Sequence, residues 1–361
     1  MMRLVARLAA VFVPAALGAP GFAQGFAGLG TASEGFAAPE PDPEFEFPAD
    51  HGPHPAYRIE WWYLTAVLQG ADGREYGAQW TLFRSALEPE TGDGWDTPQL
   101  WMGHAAVTTP DAHYAAERLA RGGVGVAGVR AEPFTAYIDE WAMTSAADRM
   151  APGEDALSAL DLTARGEDFA YELALDADGP LVFHGEDGYS VKSAQGQASY
   201  YYSQPFYEVS GVLELPGGEV DVTGQAWLDR EYSSQPLSEN QLGWDWVSLH
   251  LDSGAKLMGF QLRQTDASVY TAASWITPQG NVTAFDDGAL SLTALETAAV
   301  AGRAVPVRWR VELPARGLDV EIDALNERSW MDTRFSYWEG PVSIAGTHAG
   351  RGYLEMTGYE E

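Results

Sequence analysis

The sequence predicts an all-β protein built from two related domains, and three observations support this fold class. Side chains alternate with a period of two in many short stretches, such as 307–313 and 318–323, which is typical of β-strands. Turn dipeptides separate these stretches at Asp72-Gly73, Asp178-Gly179 and Asp287-Gly288. The third observation is that one aromatic pattern occurs twice. Many short antiparallel strands joined by tight turns indicate a sandwich or a barrel.

The repeat divides the chain into halves. Glu60-Trp61-Trp62-Tyr63 opens an alternating segment near the start, and Trp244-Asp245-Trp246 opens a second one. Residues 224–229 close the first half, and the similar residues 350–355 close the second. An internal repeat of this size predicts two β modules, and a chain of 361 residues is long enough for both.

Targeting and domain limits follow from composition along the chain. Residues 1–23 have two arginines, a short apolar stretch and a small-residue cleavage site, which is typical of a secretory signal peptide. We therefore expect export across the inner membrane to the periplasm or beyond, without stable membrane insertion.

Residues 24–44 are predicted to be a disordered linker, with order from Phe45. The predicted domains are 45–235 and 236–361, and a short helix is expected over 112–120.

Charge and composition exclude several function classes. The formal net charge of -31 repels phosphate backbones, so we expect no nucleic-acid partner. The absence of cysteine excludes disulfides, thiolate catalysis and cysteine-ligated zinc. No nucleophile elbow, P-loop or dinucleotide fingerprint is present, and we expect no cofactor.

Aromatic residues indicate a pocket for a hydrophobic small molecule. The 13 Trp, 16 Tyr and 14 Phe residues are more than a packed core needs. Trp62 lies on a strand with large side chains on both faces and is a candidate binding residue. Trp244, Trp246 and His250 share a strand face and are further candidates. The same face is also suited to form the interface between the two domains.

Asp229 is the residue that the sequence most strongly indicates for chemistry. Strand alternation places Trp227, Asp229 and Glu231 on one face. Burial and a neighbouring carboxylate both raise a carboxyl pKa, and a neutral carboxylic acid in an apolar pocket can act as a general acid. Another interpretation stays open, in which Asp229 only forms an ion pair with Arg84 or Arg263.

Two further groups of residues have less specific patterns. Tyr200 and Tyr202 share a strand face and suit either a cavity lining or ordinary cross-strand packing. His51 and His54 flank a Gly-Pro turn, with His104 further along the chain, and turn capping is favoured over metal binding because no dedicated ligand spacing is present. We predict no metal site.

Several motifs together resemble the secreted AttH-like proteins related to carotenoid 1,2-hydratase. The resemblance is carried by the segments 50–54, 60–63, 198–203, 226–231, 243–246 and 354–359. It implies two lipocalin-like domains packed side by side, with an apolar pocket in or between them. In the hydratases, an aspartate in a motif like Trp227-Leu228-Asp229 is the proton donor, and Tyr200 and Tyr202 stand near the place of an upstream histidine and tryptophan.

The resemblance implies the function we expect. Carotenoid hydratases add water across a terminal isoprenoid double bond, so acid-catalysed hydration or isomerisation at Asp229 is the first hypothesis, with Tyr200 and Tyr202 shaping the site. The second is a non-catalytic periplasmic carrier of a lipophilic ligand such as an isoprenoid, a polyene or a lipid. A third is association with a membrane transport complex through the acidic surface.

Overall fold

The computed structural model describes residues 33–89, 92, 94–235 and 240–359. The predicted signal peptide at 1–23 lies outside the described residues. Within them, regular structure is almost entirely β, and the helical segments are short 3-10 turns at Ala49–His51, Gly94–Asp96 and Pro314–Arg316. No helix of this part of the chain has the length and apolar character that a membrane span requires.

The first sheet contains thirteen strands. In chain order they are β1 (Ile59–Gly70), β2 (Glu75–Ala86), β3 (Gln99–Thr108), β4 (His113–Arg121), β5 (Ala127–Ala131), β6 (Phe134–Ile138), β7 (Trp141–Ser145), β8 (Ala159–Arg165), β9 (Ala170–Ala177), β10 (Val182–Phe183), β11 (Tyr189–Val191), β12 (Ala198–Leu215) and β13 (Gly218–Ser233). Their order across the sheet is β4-β3-β2-β1-β13-β12-β9-β8-β7-β6-β5, and β10 and β11 pair with β12.

The second sheet contains ten strands. They are β14 (Gln241–Leu251), β15 (Lys256–Gln264), β16 (Val269–Ile276), β17 (Val282–Phe285), β18 (Ser291–Val300), β19 (Arg303–Leu313), β20 (Leu318–Ala324), β21 (Trp330–Met331), β22 (Tyr337–Gly346) and β23 (Gly350–Met356). Their order is β17-β16-β15-β14-β23-β22-β20-β19-β18, with β21 paired to β22.

Both sheets are antiparallel, and they follow a similar path. In each sheet the aromatic opening strand, β1 or β14, pairs with the strand that follows it and with the last strand of its own sheet. The predicted turns at Asp72-Gly73 and Asp287-Gly288 are confirmed, since Gly73 and Gly288 both adopt a φ of 82°, a conformation that favours glycine. The first sheet forms a nearly closed barrel and the second a half-barrel. The predicted all-β class with two barrel-type sheets is therefore confirmed.

Strand register determines which face of the first barrel each side chain occupies. On β1, β13 and β12, Tyr63, Asp229 and Ser203 lie in one cross-strand row. The adjacent row is formed by Trp62, Arg230 and Tyr202. Directly opposed residues of antiparallel strands point to the same side, so the two rows face opposite ways. The row with Trp62 faces the barrel interior.

The barrel interior is filled by apolar side chains and a buried ion network. Trp62 and Arg230 are fully buried, and the Arg230 guanidinium lies 3.9 Å from the Trp62 ring centroid. Glu60 accepts hydrogen bonds from Arg84 and, at 3.2 Å, from Arg230. Burial by itself would raise the pKa of Glu60, but Arg84, His54 and Arg230 together hold that pKa below its ordinary value.

The outer face of the first barrel packs against the second sheet. A shared apolar cluster forms between them, and it contains Tyr63, Val67, Val182, Tyr201, Phe206, Trp227, Trp246, Met258, Phe260, Leu262, Ile276 and Tyr353. The Tyr63 and Trp246 rings meet edge to face with centroids 5.5 Å apart. The two sheets therefore share a core, in addition to the separate cores inside each.

Two local predictions are wrong. The stretch 112–120 is not helical, and residues 113–120 lie in strand β4, because pairing with β3 overrides the helix propensity of the alanines. Ordered contacts also begin before Phe45: the Glu40 amide donates to the Tyr200 hydroxyl at 3.0 Å, Pro39 is buried, and Arg58 lies over the Phe36 ring. Residues 33–44 are thus tied to the first barrel by specific contacts, whereas residues 24–32 of the predicted linker lie outside the described residues.

Candidate functional site between the two sheets

Asp229 lies on β13 at the interface between the sheets, where it is only 2% exposed. Its Oδ1 atom accepts a hydrogen bond from Trp227 Nε1 at 2.7 Å and another from the Ser203 hydroxyl. The Tyr201 hydroxyl also hydrogen-bonds this carboxyl group. All three partners are neutral donors, so they orient the carboxyl group without supplying a charge.

No lysine or arginine among the described residues forms an ion pair with Asp229. Arg84 pairs instead with Glu60, and Arg263 Nε lies 3.2 Å from Asp245 Oδ2. The interpretation of Asp229 as the ion-pair partner of Arg84 or Arg263 is therefore wrong. Both arginines form ion pairs with other buried carboxylates.

The ionisation of Asp229 follows from these surroundings. Burial raises the pKa of Asp229 to about 7, although the hydrogen bonds from Ser203 and Trp227 oppose the rise and the nearby Glu231 adds to it. Without a cation, the donors do not offset the loss of hydration. A substantial fraction of Asp229 is thus protonated near neutral pH.

A buried histidine extends the hydrogen-bond chain from Asp229. His184 Nε2 lies 2.7 Å from the Ser203 hydroxyl, which in turn donates to Asp229. Because the single hydroxyl proton of Ser203 is directed at Asp229, His184 Nε2 must be the donor to Ser203. His184 Nδ1 is then an acceptor, and it is buried with no hydrogen-bond partner among the described residues. Burial lowers the pKa of His184 to about 3, so the ring is neutral.

Glu231 lies one strand step from Asp229 on the same face. Its Oε1 atom is 2.9 Å from Lys192 Nζ and accepts a hydrogen bond from Ser199. The Lys192 ammonium also lies over the Tyr201 ring, 4.6 Å from the centroid. The Lys192 ammonium therefore largely compensates the negative charge of Glu231, whereas no such cation contacts the carboxyl group of Asp229.

The predicted aromatic face of the second sheet points toward Asp229. Trp246 Nε1 donates to the Tyr201 hydroxyl at 3.1 Å, and the His250 ring lies edge-on to Trp227 at 5.8 Å. Trp244 is directed elsewhere, since its Nε1 donates to Glu355 at 2.6 Å. Trp246 and His250 thus lie near Trp227, and Trp244 belongs to a neighbouring part of the interface.

The structure does not bring Tyr200, Tyr202 or Trp62 to Asp229. Tyr202 is on the interior row of the barrel, where its hydroxyl lies 2.8 Å from His51 Nδ1. Tyr200 lies at the barrel surface against Tyr232, with ring centroids 5.2 Å apart. The alternation of the tyrosines was predicted correctly, but the register of β12 on β13 turns both away from Asp229 and turns Tyr201 toward it.

A cleft of about 430 Å³ opens beside this site, between the β10–β11 segment and strands β15 to β17. Its lining consists of Gly185, Glu186, Tyr189, Ser190, Val191, Met258, Tyr270, Ala272, Ala273, Ser274, Ala284, Phe285 and Asp286. Gly185 directly follows His184, and Met258 belongs to the shared cluster that contains Trp227 and Tyr201. The cleft therefore adjoins the hydrogen-bond chain, while Asp229 lies behind its wall.

The histidines considered as metal ligands have other partners. His51 Nε2 lies 3.0 Å from Asp155 Oδ2, and His54 lies between Asp50 and Glu60. His104 contacts the Tyr337 hydroxyl at 3.0 Å, away from the other two. In the described parts of the chain, no group of three acidic or histidine side chains is placed to hold a metal ion.

The family comparison agrees with this architecture. A sequence profile described as AttH-like matches residues 38–359. The chain belongs to the AttH-like family. A search of the curated proteins finds no match. Membership establishes the fold and the relatives of the chain, whereas a fold of this kind does not by itself determine the reaction.

Two solved structures are similar over almost the whole chain. The AttH-type protein of Nitrosomonas europaea is 34% identical with a TM-score of 0.78, and the match covers 90% of this chain and all of the other. Kievitone hydratase from Nectria haematococca is 14% identical with a TM-score of 0.65, covering 89% of this chain and 95% of that one. The second similarity shows a common fold.

Sequence reasoning missed His184, Ser203 and Tyr201. Ser203 and Tyr201 lie at alternate positions of β12, and in the observed β12–β13 register both face Asp229. Alternation along a strand does not by itself determine this register. His184 is a lone histidine at the end of a two-residue strand, with no motif around it. Only the packing of β10 onto β12 brings it to Ser203.

Proposed function

We propose that the protein is an exported hydratase-type enzyme that uses Asp229 to protonate a carbon–carbon double bond in a neutral, apolar small molecule. The observation that carries the proposal is a carboxyl group that is buried, held by neutral donors and free of any ion-pair partner among the described residues. Its pKa of about 7 makes it a proton donor near neutral pH. Export rests on the signal-like pattern of residues 1–23.

The chain Asp229–Ser203–His184 gives a path that returns a proton to Asp229. The step requires the substrate to reach past the wall of the cleft to the carboxyl group. Asp229 then transfers its proton to the alkene carbon, and water adds to the resulting carbocation. The proton released by that water passes to His184 Nδ1, while His184 Nε2 gives its proton to Ser203 and Ser203 gives its own to Asp229. The substrate gains one hydrogen and one hydroxyl group, and each side chain recovers its charge. His184 is left with its proton on Nδ1, so it must exchange this proton for one on Nε2 before the next turnover.

The surroundings suit a cationic intermediate. The His184 and Trp227 rings lie nearly parallel, with an interplanar angle of 14° and centroids 6.4 Å apart. The face of an aromatic ring such as Trp227 stabilises a nearby positive charge by roughly 0.5–2 kcal/mol. The cleft contributes Glu186 and Asp286 and no lysine or arginine to its lining. This distribution of charge favours a neutral substrate over a carboxylate or a phosphate.

The comparison with kievitone hydratase supports the reaction class as an analogy. That enzyme is named as a hydratase and shares the fold of this chain. An isoprenoid, polyene or other lipid-like alkene is the substrate class that we propose. We retain association with a membrane transport complex only as a proposal that the acidic surface suggests.

Replacing Asp229 by Asn tests the enzyme. We expect Asp229→Asn to lower hydration of a panel of prenylated phenols and acyclic terpenes by at least about a hundredfold, because an amide cannot supply the proton. Turnover is measured as incorporation of ¹⁸O from labelled water, detected by mass spectrometry. Asp221→Asn, an exposed carboxylate on the same strand, is the matched control and should keep wild-type turnover. Equal turnover in the wild type and Asp229→Asn would exclude Asp229 as the acid.

A carrier without chemistry is the second candidate, and one observation favours it. Asp229 is not among the residues that line the cleft, so a ligand can lie there without touching the carboxyl group. Trp246 and Trp227 are close enough to report binding through fluorescence. Quenching by the same panel in both wild type and Asp229→Asn, with no ¹⁸O incorporation in either, identifies a carrier. Quenching together with wild-type incorporation identifies the enzyme.

A further inference from the structure

The two lysines of the chain, Lys192 and Lys256, both lie at the interface between the sheets. Arginine supplies every other basic side chain except histidine. Lys192 has a carboxylate partner in Glu231, at 2.9 Å. Lys256 forms no ion pair with any described residue, although it is only 5% exposed. The contrast between the two marks Lys256 as a buried amine without a counter-charge in contact.

The contacts of Lys256 are neutral. Its Nζ atom lies 2.9 Å from His250 Nδ1, and the Phe206 ring centroid is 5.1 Å from Nζ. Its cross-strand neighbour on β16 is Ile276. Glu208 on β12 acts on it only at longer range. A buried ammonium group surrounded in this way loses much of its hydration and gains little in return.

Lys256 is one strand step from the cleft. Met258 follows it on the same face of β15 and lines the cleft, and Ser274, which pairs with Met258, does the same. Residues two positions apart on a strand are separated by about 7 Å, which is close to the reach of an extended lysine side chain. Lys256 is not itself part of the lining, so a ligand that extends past Met258 along β15 would reach the vicinity of the lysine amine.

The amine is also available in its neutral form. Burial lowers the pKa of Lys256 to about 8, although Glu208 opposes this change. Burial likewise lowers the pKa of His250, so this ring stays neutral and its Nδ1 atom can accept a hydrogen bond from Nζ. Near pH 7.5, an amine of this kind has roughly a hundredfold more neutral form than an ordinary lysine. Desolvated lysines of this type form Schiff bases with carbonyl compounds.

We propose that Lys256 is a carbonyl-reactive residue that captures an apolar aldehyde from the cleft as an imine. The neutral Nζ attacks the carbonyl carbon, and a proton moves from nitrogen to the carbonyl oxygen to give a carbinolamine. Loss of water then forms the C=N bond, so that one amine and one aldehyde give one imine and one water molecule. No oxidant or reductant is needed, and the step does not use Asp229.

Reductive trapping tests the proposal. The full-length protein is incubated with cinnamaldehyde and sodium cyanoborohydride near pH 7.5, and the labelled positions are identified by peptide mass spectrometry. We expect labelling of Lys256 to exceed that of Lys192 by at least about tenfold, because Lys192 is paired with Glu231. Labelling of Lys192 equal to or above that of Lys256, or no labelling of Lys256, would overturn the proposal.

Two variants separate this site from the proposed hydration. Lys256→Arg keeps the positive charge but removes the nucleophile, and should lose the label while keeping its near-ultraviolet circular dichroism. Asp229→Asn should be trapped as fast as the wild type, within about twofold. Loss of trapping in Asp229→Asn would show that the label depends on the acid site and would also overturn the proposal. If Lys256→Arg folds poorly, the positions labelled in the wild-type protein still decide between the outcomes.

Discussion

Single residues show that neighbouring charge, rather than burial, decides the ionisation of the interior carboxyl groups. Glu60 and Asp229 are both almost inaccessible to solvent. Glu60 contacts Arg84, Arg230 and His54, which hold its pKa below the ordinary value. Asp229 contacts only neutral donors, and its pKa rises to about 7. Two acids of similar burial are therefore suited to different tasks, one to anchoring and the other to proton transfer.

The stability of the protein should depend on pH through Asp229. Its folded pKa of about 7 lies above the ordinary value of 3.8, so the folded state holds the proton more tightly. The stabilisation is complete below about pH 4 and is lost as the pH rises through about 7. Because Asn cannot ionise, Asp229→Asn should gain roughly 3 kcal/mol of unfolding free energy relative to wild type between pH 5 and pH 8.

Urea denaturation at the two pH values measures this gain. Asp221→Asn serves as the control, and its difference from wild type should stay constant because the residue is exposed. A difference between Asp229→Asn and wild type that does not change with pH would show that Asp229 is solvated in the folded protein.

At the scale of strands, register places two acids side by side. Glu339 on β22 and Glu355 on β23 are cross-strand partners, and Glu339 is completely buried. Tyr63 of β1 donates to Glu339 at 3.0 Å, and Trp244 of β14 donates to Glu355. Burial and the neighbouring Glu355 raise the pKa of Glu339, and burial raises that of Glu355 to about 7. The carboxyl groups of Glu339 and Glu355 together thus hold at least one proton near neutral pH.

Removing one acid of this pair should stabilise the protein at alkaline pH. Because the folded protein holds the pKa of Glu339 well above its ordinary value of 4.5, the stability of the wild type falls as the pH rises above that value, and ionisation of Glu355 through about 7 adds to the fall. We expect Glu339→Gln to gain a few kcal/mol of unfolding free energy relative to wild type at about pH 8.5, and much less at pH 5. Guanidinium denaturation at both pH values measures the gain.

Glu219→Gln is the matched control for this prediction. Glu219 is exposed on β13, so its replacement should change stability little at either pH. An equal effect of Glu339→Gln at pH 5 and pH 8.5 would mean that the pair does not retain a proton.

At the scale of the whole molecule, the two sheets are joined by a shared core. Trp246 of the second sheet contacts Tyr63 and hydrogen-bonds Tyr201 of the first. The apolar cluster around it also forms the wall behind which Asp229 lies. Separating the sheets would therefore expose both the apolar surface and the acid. We infer that folding of the two halves is coupled.

Truncation of Trp246 should weaken both halves together. Trp246 is 7% exposed, and Trp246→Ala should cost about 3–5 kcal/mol of unfolding free energy because it leaves a cavity in the interface. Calorimetry should show one transition that moves to lower temperature as a unit. Trp95→Ala removes a ring that is 73% exposed and should leave the transition nearly unchanged. Two separate transitions, with only one shifted by Trp246→Ala, would contradict the coupling.

The sequence by itself determined the strand-rich fold class, the turns between strands and the side of β13 on which Asp229 lies. These features depend on local patterns: alternation with a period of two, turn residues that tolerate positive φ, and side chains that share a strand face. The prediction that Asp229 and Trp227 are neighbours also depends on a local pattern, since both residues lie on one strand.

Only the tertiary structure decided what surrounds Asp229. A shift of one residue in the pairing of β12 with β13 would have brought Tyr202 rather than Tyr201 to it, and no local pattern fixes that register. His184, directly after the two-residue strand β10, contacts Ser203, and Trp246 comes from the other sheet. These contacts join residues far apart in the chain, and they form because both sheets bury their apolar faces against each other.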